Sequence, residues 1–230
     1  MNHTSYTRFG KRVVDLLGAI VGLLVLTPFF AVIAVLVKAT SRGPIFFQQI
    51  RVGQFERPFR IFKFRSMRGS ALGRGSLLTA AGDPRITRVG RWLRKSKMDE
   101  LPQLINVLLG QMSLVGPRPE VPEYTAAYSL EQRRVFQQKP GITSPAAIHN
   151  VREEELLTCH SDKHDFYLSI LLPRKLEMDL EYCANISLIE DMKCILATIG
   201  CIFVDAKTPQ TLSVPVPESK VRVSESSPIQ

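Results

Sequence analysis

Residues 13–37 form a run in which only Asp15, Thr27 and the glycine and proline positions interrupt apolar side chains. As one straight helix this run would measure about 37 Å, enough to cross a hydrocarbon core of about 30 Å. It is too long for the apolar core of a cleaved leader, and no small-residue cleavage site follows it. Two features oppose a simple span. Pro28, preceded by Thr27, removes a backbone donor and crowds the carbonyl of Leu24, so a helix–break–helix is predicted. Both flanks are also basic, with Arg8, Lys11 and Arg12 before the run and Lys38 and Arg42 after it. Basic flanks prefer one side of a membrane, and a re-entrant helix that enters and leaves the same leaflet satisfies both. Asp15 sits near the end where the helix enters, within reach of Arg8, Lys11 or Arg12.

Beyond this run the periods shorten. Gly43-Pro44 reads as a turn into a strand over residues 45–49. Residues 57–65 (RPFRIFKFR) alternate basic and apolar positions, which predicts a strand with Arg and Lys on one face. Residues 69–82 are rich in Gly, Ser and Ala and read as a mobile loop. Leu101, Leu104, Ile105, Leu108 and Met112 recur at helical spacing, with Pro102 tolerable only in the first turn. Asp99-Glu100 then stands at the helix start, where the dipole favours negative charge. A second amphipathic helix is predicted over residues 186–203, packed in the core or laid on a membrane surface. From Lys207 onward, four of the 15 prolines fall among Ser, Val and Glu, and no fixed structure is expected. The pattern as a whole predicts a small membrane-associated α/β domain. Its parts are a re-entrant membrane helix over residues 1–40, amphipathic interface helices and a few short strands over 41–206, and a disordered tail over 207–230.

Composition narrows the functional classes. The chain has 230 residues, 45% of them hydrophobic and 22% charged, which excludes a disordered or fibrous protein. Net charge is +9, and residues 38–98 hold 15 Lys and Arg against only Glu56 and Asp83. Such a balance favours anionic partners: lipid headgroups, phosphorylated substrates or nucleic acid. The apolar run and the lack of a nucleic-acid-binding motif argue against the last. Cys159, Cys183, Cys194 and Cys201 show no CxxC spacing, so neither a zinc site nor a disulfide framework is expected. The concentrated chemistry lies at residues 94–120. Asp99 and Glu100 are flanked by Arg94, Lys95 and Lys97, and Arg118 sits on a rigid turn between Pro117 and Pro119. The X-Pro bonds there admit a cis peptide. A guanidinium fixed in this way suits a phosphate held by a fork. For the two carboxylates alone, helix capping is an equally good account.

Three stretches resemble the bacterial sugar transferases, the monotopic phosphoglycosyl transferases that start glycoconjugate and polysaccharide synthesis on a polyprenyl carrier. They are KFRSM (63–67), the uninterrupted DPRITRVGRWLRKSKMDELPQLINVLLGQMSLVGPRPE (83–120) and KPGIT (139–143). The resemblance runs from about residue 8 to about residue 205 and is to the short form, which holds only the catalytic domain. It implies transfer of a phosphosugar from a nucleoside-diphosphate sugar, here a UDP-sugar, to polyprenyl phosphate, with release of a nucleoside monophosphate. It further implies Asp99 as nucleophile, with Glu100 as its partner in metal binding or proton handling. Mg²⁺ is the implied cofactor, held at Asp99 and Glu100. Lys63, Arg65, Arg94 and Arg118 are the phosphate-binding candidates. The implied setting is the cytoplasmic face of the cell inner membrane, with membrane lipid as a further partner. After Thr143 the chain continues Ser144-Pro145-Ala146-Ala147, a departure from the family pattern that bears on the sugar or nucleotide pocket. Asp165 and Arg152 either enter the site or are solvated surface groups. A non-enzymatic basic membrane adaptor would account for the charge and the apolar run. It would leave Asp99-Glu100 and the Pro117-Arg118-Pro119 turn unexplained.

Overall fold

The computed structural model describes residues 6–68, 79, 82–150, 153–160 and 162–203. A π-helical turn, Tyr6–Gly10, leads into helix α1, Lys11–Thr40. α1 runs through Pro28 as one helix, so the proline does not divide it in two. Its neighbour Thr27 turns its hydroxyl back to the carbonyl of Leu23 (2.6 Å). The buried residues of α1, Asp15, Ala19, Ile33 and Val37, share a face on both sides of the proline. The rest of its surface exposes Leu17, Val21, Leu24, Val25, Phe29 and Val32.

The rest of the chain covers that buried face. Strands β1 (Phe46–Val52) and β2 (Pro58–Phe64) form an antiparallel hairpin in which Phe47 faces Lys63 and Arg51 faces Phe59. Helix α2 (Arg88–Lys95) begins at Thr87, whose hydroxyl caps the Gly90 N–H (2.8 Å). A 3₁₀ turn, Met98–Glu100, precedes helix α3 (Gln103–Leu108). Strand β3 (Ser113–Val115) pairs in parallel with β4 (Gly141–Thr143), and the short helix α4 (Pro122–Thr125) lies between them in sequence. The remainder is helical: α5 (Pro145–His149), α6 (Glu153–Thr158), α7 (Lys163–Phe166), α8 (Leu172–Ala184) and α9 (Leu188–Phe203).

Apolar burial fixes how these pieces meet. Ala19, with Leu23 and Leu26, packs on Phe59, Ile61, Leu104 and Val107. Ile33 and Val37 pack on Phe64 and Leu93. A third cluster joins Val121, Tyr124, Phe136, Leu157, Tyr167 and Leu176 on the far side of the molecule. Small residues set the closest approach to α1: a Cβ at Gly18 would stand 2.6 Å from the Leu114 side chain. Polar contacts then anchor both ends of α1 to the same body. Arg12 donates to the carbonyls of Val107 (2.7 Å) and Leu108 (3.1 Å), and Asp15 accepts from Ser113 Oγ and the Leu114 N–H (2.9 Å each). At the other end Arg65 donates to Ser41 Oγ (3.1 Å) and its carbonyl (2.7 Å).

Several expectations need correction here. The helix containing Leu104 and Leu108 is shorter than its periodicity implies. It starts after Pro102 and ends before Met112, which is buried beyond it. Asp99 and Glu100 therefore sit on a separate turn and do not cap α3. In β2, Arg60 and Lys63 are three residues apart and fall on opposite faces, so the basic residues do not share one. Among the described residues every peptide bond is trans, those before Pro117 and Pro119 included. The expected loop at residues 69–82 lies almost entirely, and the tail from Lys207 and Arg152 lie wholly, outside the described residues.

Candidate active site

A cavity of about 340 Å³ opens between the β1–β2 hairpin, the Met98–Glu100 turn, the Arg118 turn and helices α5, α6 and α8. All six residues singled out from sequence line it: Lys63, Arg65, Arg94, Asp99, Glu100 and Arg118.

Local geometry explains how they converge. Lys97 adopts a left-handed conformation (φ 56°), which reverses the chain after α2 and presents Asp99 and Glu100 inward. Gly90 lets α2 lie against the end of β2, since a Cβ there would fall 1.9 Å from the Ser66 carbonyl oxygen. Gly116 and Gly141 do the same where β3 meets β4: a Cβ on Gly141 would overlap the Gly116 backbone at 2.1 Å. That contact fixes the start of the Arg118 turn. Asp179 of α8 holds the turn from the other side by accepting the Arg118 N–H (3.0 Å). Burial pushes the Asp179 carboxyl up to about 6.

Glu100 is the electrostatic hub. Its Oε1 accepts from Lys63 Nζ (2.7 Å) and from Nη2 of Arg118 (2.8 Å), and its Oε2 from Nη1 of Arg118 (3.3 Å). Burial alone would raise its pKa, but Arg118 and Lys63 outweigh it and hold the carboxyl well below the usual range. Lys63 is shifted down, because burial outweighs the attraction of Glu100.

Asp99 differs from its neighbour. It is 5% exposed, and among the described residues its carboxylate receives no hydrogen bond. Burial and the adjacent Glu100 push it up to about 6, against the pull of Lys63, Arg94 and Lys97. The surrounding cations therefore do not depress Asp99 below its ordinary value; they limit the rise. It remains mostly ionised at neutral pH, with its oxygens uncommitted. A carboxylate in this state can attack an electrophile or ligate a hard cation.

The phosphate-binding candidates divide. The Arg118 fork is spent partly on Glu100, yet a guanidinium has five N–H donors and the pair uses two. Lys63 likewise uses one donor of three on Glu100. Arg65 is buried and tied to Ser41, so it secures the end of α1 as well as lining the cavity. Asp165 stays out of the site: it is exposed on α7 with its N–H bonded to Asp162. The departing segment after Thr143 does reach the cavity through Ala147 and Ile148.

The residues present fit a Mg²⁺ ion. Such an ion is usually held by one or two carboxylates together with substrate phosphates. Asp99 has free oxygens, and Oε2 of Glu100 keeps a lone pair. No cluster of three or more His, Cys, Asp or Glu exists among the described residues, so further ligands would come from substrate or water.

A second polar cluster was not picked out from sequence. Glu120 Oε1 accepts from Tyr167 (2.7 Å) and Lys175 (3.2 Å), and its Oε2 faces Arg51 (3.4 Å). Lys175 also reaches Glu153 (3.2 Å). Burial would raise the Glu120 pKa, but Lys175 and Arg51 hold it low. Glu120 closes the GPRPE motif, and that position was the available signal. Lys175 and Asp179 lie in Pro173-Arg174-Lys175 and Asp179-Leu180-Glu181-Tyr182, which resemble the later family pattern only loosely, and their roles here come from α8 packing.

Comparison with known proteins places the chain among enzymes. A family model described as "Bacterial sugar transferase" matches residues 6–205. An undecaprenyl-phosphate glucose phosphotransferase of Komagataeibacter xylinus is 40% identical over 196 residues, covering 82% of this chain and 35% of that protein. A UDP-N-acetylgalactosamine-undecaprenyl-phosphate N-acetylgalactosaminephosphotransferase of Aeromonas hydrophila is 38% identical over 200 residues, 84% of this chain and 44% of its own length. The exopolysaccharide production protein PSS of Rhizobium leguminosarum bv. phaseoli is 35% identical over 204 residues, 82% of this chain and 92% of its own length. The chain thus spans less than half the length of the first two relatives and nearly all of the third.

Proposed function

The chain belongs to the bacterial sugar transferase family, and from that premise we propose that it transfers a phosphosugar from a UDP-sugar to polyprenyl phosphate, releasing UMP. The observation that carries this reading is the contrast within one dyad. Asp99 is buried with free oxygens beside a Glu100 paired with Lys63 and Arg118. The two relatives with full names carry sugar phosphate to undecaprenyl phosphate, one of them from a UDP-sugar.

In the first step an Asp99 oxygen attacks the phosphorus that bears the sugar. The P–O–P bond breaks, and UMP leaves with the electron pair. The phosphosugar remains on Asp99 as an acyl phosphate. In the second step an oxygen of polyprenyl phosphate attacks the same phosphorus, which frees Asp99. Lys63 and Arg118 use their remaining donors on the diphosphate oxygens, and Arg94 and Lys97 add positive potential where charge accumulates. Glu100 does not attack; its pairing keeps the Arg118 fork and Lys63 aimed into the cavity. Mg²⁺, held by Asp99 and Glu100 together with substrate phosphates, would supply charge neutralisation on the diphosphate.

The anchoring of α1 supports a re-entrant topology as part of this proposal. Both ends of the helix are tied to the one globular body: Arg12 donates to the Val107 carbonyl, and Ser41, just past the last turn, accepts from Arg65. A membrane-spanning α1 would put those contacts on opposite sides of the bilayer. A helix that enters and leaves one leaflet, on the cytoplasmic face of the inner membrane, keeps them together and offers its exposed apolar side to lipid. Incubation with UDP-sugar and polyprenyl phosphate tests the activity. UMP release dependent on Mg²⁺ and lost in Asp99→Asn is expected. Release that persists in that variant, or no release from any UDP-sugar, would sink the reading.

A further inference from the structure

The cavity has two ends of different electrostatic character. Around Asp99 and Glu100, the cations Lys63, Arg94, Lys97 and Arg118 leave an excess of positive charge suited to phosphate. Around Lys175 the ion-paired charges balance, Lys175 and Arg51 against Glu120 and Glu153, with Arg118 acting on them from its place on Glu100. A neutral polar group therefore fits this second end better than an anion does.

That end also has hydrogen-bonding capacity left over. Glu153 spends Oε2 on Lys175; its side chain is 25% exposed, and Oε1 is uncommitted among the described residues. Asn150 donates from Nδ2 to the Ala146 carbonyl (2.8 Å), which leaves its Oδ1 open. The Tyr124 ring packs against Tyr167 (centroids 4.8 Å apart), and its hydroxyl carries no hydrogen bond among the described residues. Contacts join the three into one surface. Glu153 and Tyr167 both meet Lys175, and the Glu153 N–H donates to the Asn150 carbonyl (3.1 Å). All three residues line the cavity. These oxygens face the open cavity, where a ligand can replace the water that satisfies them. Two carbonyl-type acceptors, a phenol and a ring edge match the vicinal hydroxyls of a sugar ring.

We propose that Glu153, Asn150 and Tyr124 form a subsite for the hydroxyls of a neutral sugar ring in the donor, either the transferred pyranosyl group or the ribosyl group of the nucleotide. The subsite adjoins the phosphate-binding end, because Glu120 is two residues from Arg118 and contacts Lys175. This inference rests on the donor reading above and deepens it. Where the ring is the pyranosyl group, Tyr124 and Glu153 also select which donor binds.

The test measures binding, so that it is independent of turnover. Glu153→Gln and Tyr124→Phe are each placed in the Asp99→Asn chain, and dissociation constants are measured for UDP-glucose, UDP-N-acetylgalactosamine and UMP. Replacing a charged acceptor by a neutral one should weaken donor binding about tenfold for Glu153→Gln, and losing a neutral hydrogen bond about fivefold for Tyr124→Phe. A loss confined to the UDP-sugars assigns the subsite to the pyranosyl group. An equal loss for UMP assigns it to ribose. Tyr124→Phe removes one oxygen and keeps the ring, so it guards against a folding defect in the other variant. Affinities within twofold of the parent for all three probes, in both variants, would overturn the subsite. Absence of UMP release by the unmodified chain would instead count against the proposed activity.

Discussion

Replacing Asp99 by Asn should make the protein inactive and more stable at the same time. Burial and the neighbouring Glu100 raise the Asp99 pKa from 3.8 to about 6. The sign follows from proton linkage. Below 3.8 the carboxyl is protonated in both folded and unfolded chains, and no penalty exists. Between 3.8 and 6 the unfolded chain ionises while the folded one keeps its proton, so stability falls as pH rises. Above 6 the folded chain carries a buried charge at a constant penalty on the order of 3 kcal/mol. Asparagine has nearly the same shape and no charge, so it removes that penalty above pH 6 and gains little near pH 4. For a chain of this size, about 3 kcal/mol corresponds to a rise of roughly 6–12 °C in melting temperature. The assay is thermal unfolding of both forms in the same detergent at pH 7.5 and pH 4.5. A clear gain for Asp99→Asn at pH 7.5 that shrinks at pH 4.5 is expected. Equal melting at both pH values, or a loss at pH 7.5, would show that burial does not strain the Asp99 charge. Initial rates of the unmodified chain should also climb with pH through about 6, as Asp99 ionises.

Arg118→Lys keeps the charge but loses the fork on Glu100, and UMP release should fall at least tenfold; turnover near that of the parent would show that a point charge suffices. Glu100→Gln strands Lys63 and Arg118 beside a neutral amide and should cost about 3 kcal/mol in stability. Because the Glu100 pKa is depressed, its contribution is present above its unfolded value and is lost as pH falls through its folded value. The gap between parent and variant should therefore narrow only below about pH 4.5, and a gap unchanged between pH 7.5 and about pH 2.5 would refute the pairing. Cysteines placed at Asn2 and Lys38 should both be labelled from the cytoplasm; labelling of Asn2 from the opposite side alone would establish a spanning helix.

Much of the site was legible because it is local in sequence. Asp99, Glu100, Lys63, Arg94 and Arg118 all fall in stretches where charge, proline and period stand out, and the structure brings them to one cavity. The errors arose where tertiary contacts override local pattern. Residues 101–112 keep helical spacing, yet Met112 is buried by packing after α3 has ended. Part of the reason is Asn106, which spends its side chain on the β2 backbone, accepting from the Phe62 N–H (3.0 Å) and donating to the Arg60 carbonyl (2.7 Å). The charges beside Asp99 are visible in the sequence, but its desolvation, which raises its pKa against their pull, is not. Lys175 and Tyr167 come from helical segments some 50 residues beyond the central motif, and only the fold reveals that they line the cavity and that Asp179 holds the Arg118 turn. The anchoring of α1 at Arg12 and Arg65 is likewise a long-range fact, and it bears on topology more directly than the basic flanks do.

The most direct test of the central claim is intact mass after the protein is mixed with UDP-sugar alone, with polyprenyl phosphate left out. The expected result is an adduct of one phosphosugar, absent in Asp99→Asn and discharged when polyprenyl phosphate is added. An adduct that survives in Asp99→Asn would place the nucleophile elsewhere. No adduct at all, with kinetics that require both substrates bound together, would replace the two-step route by direct transfer and leave Asp99 as a metal ligand.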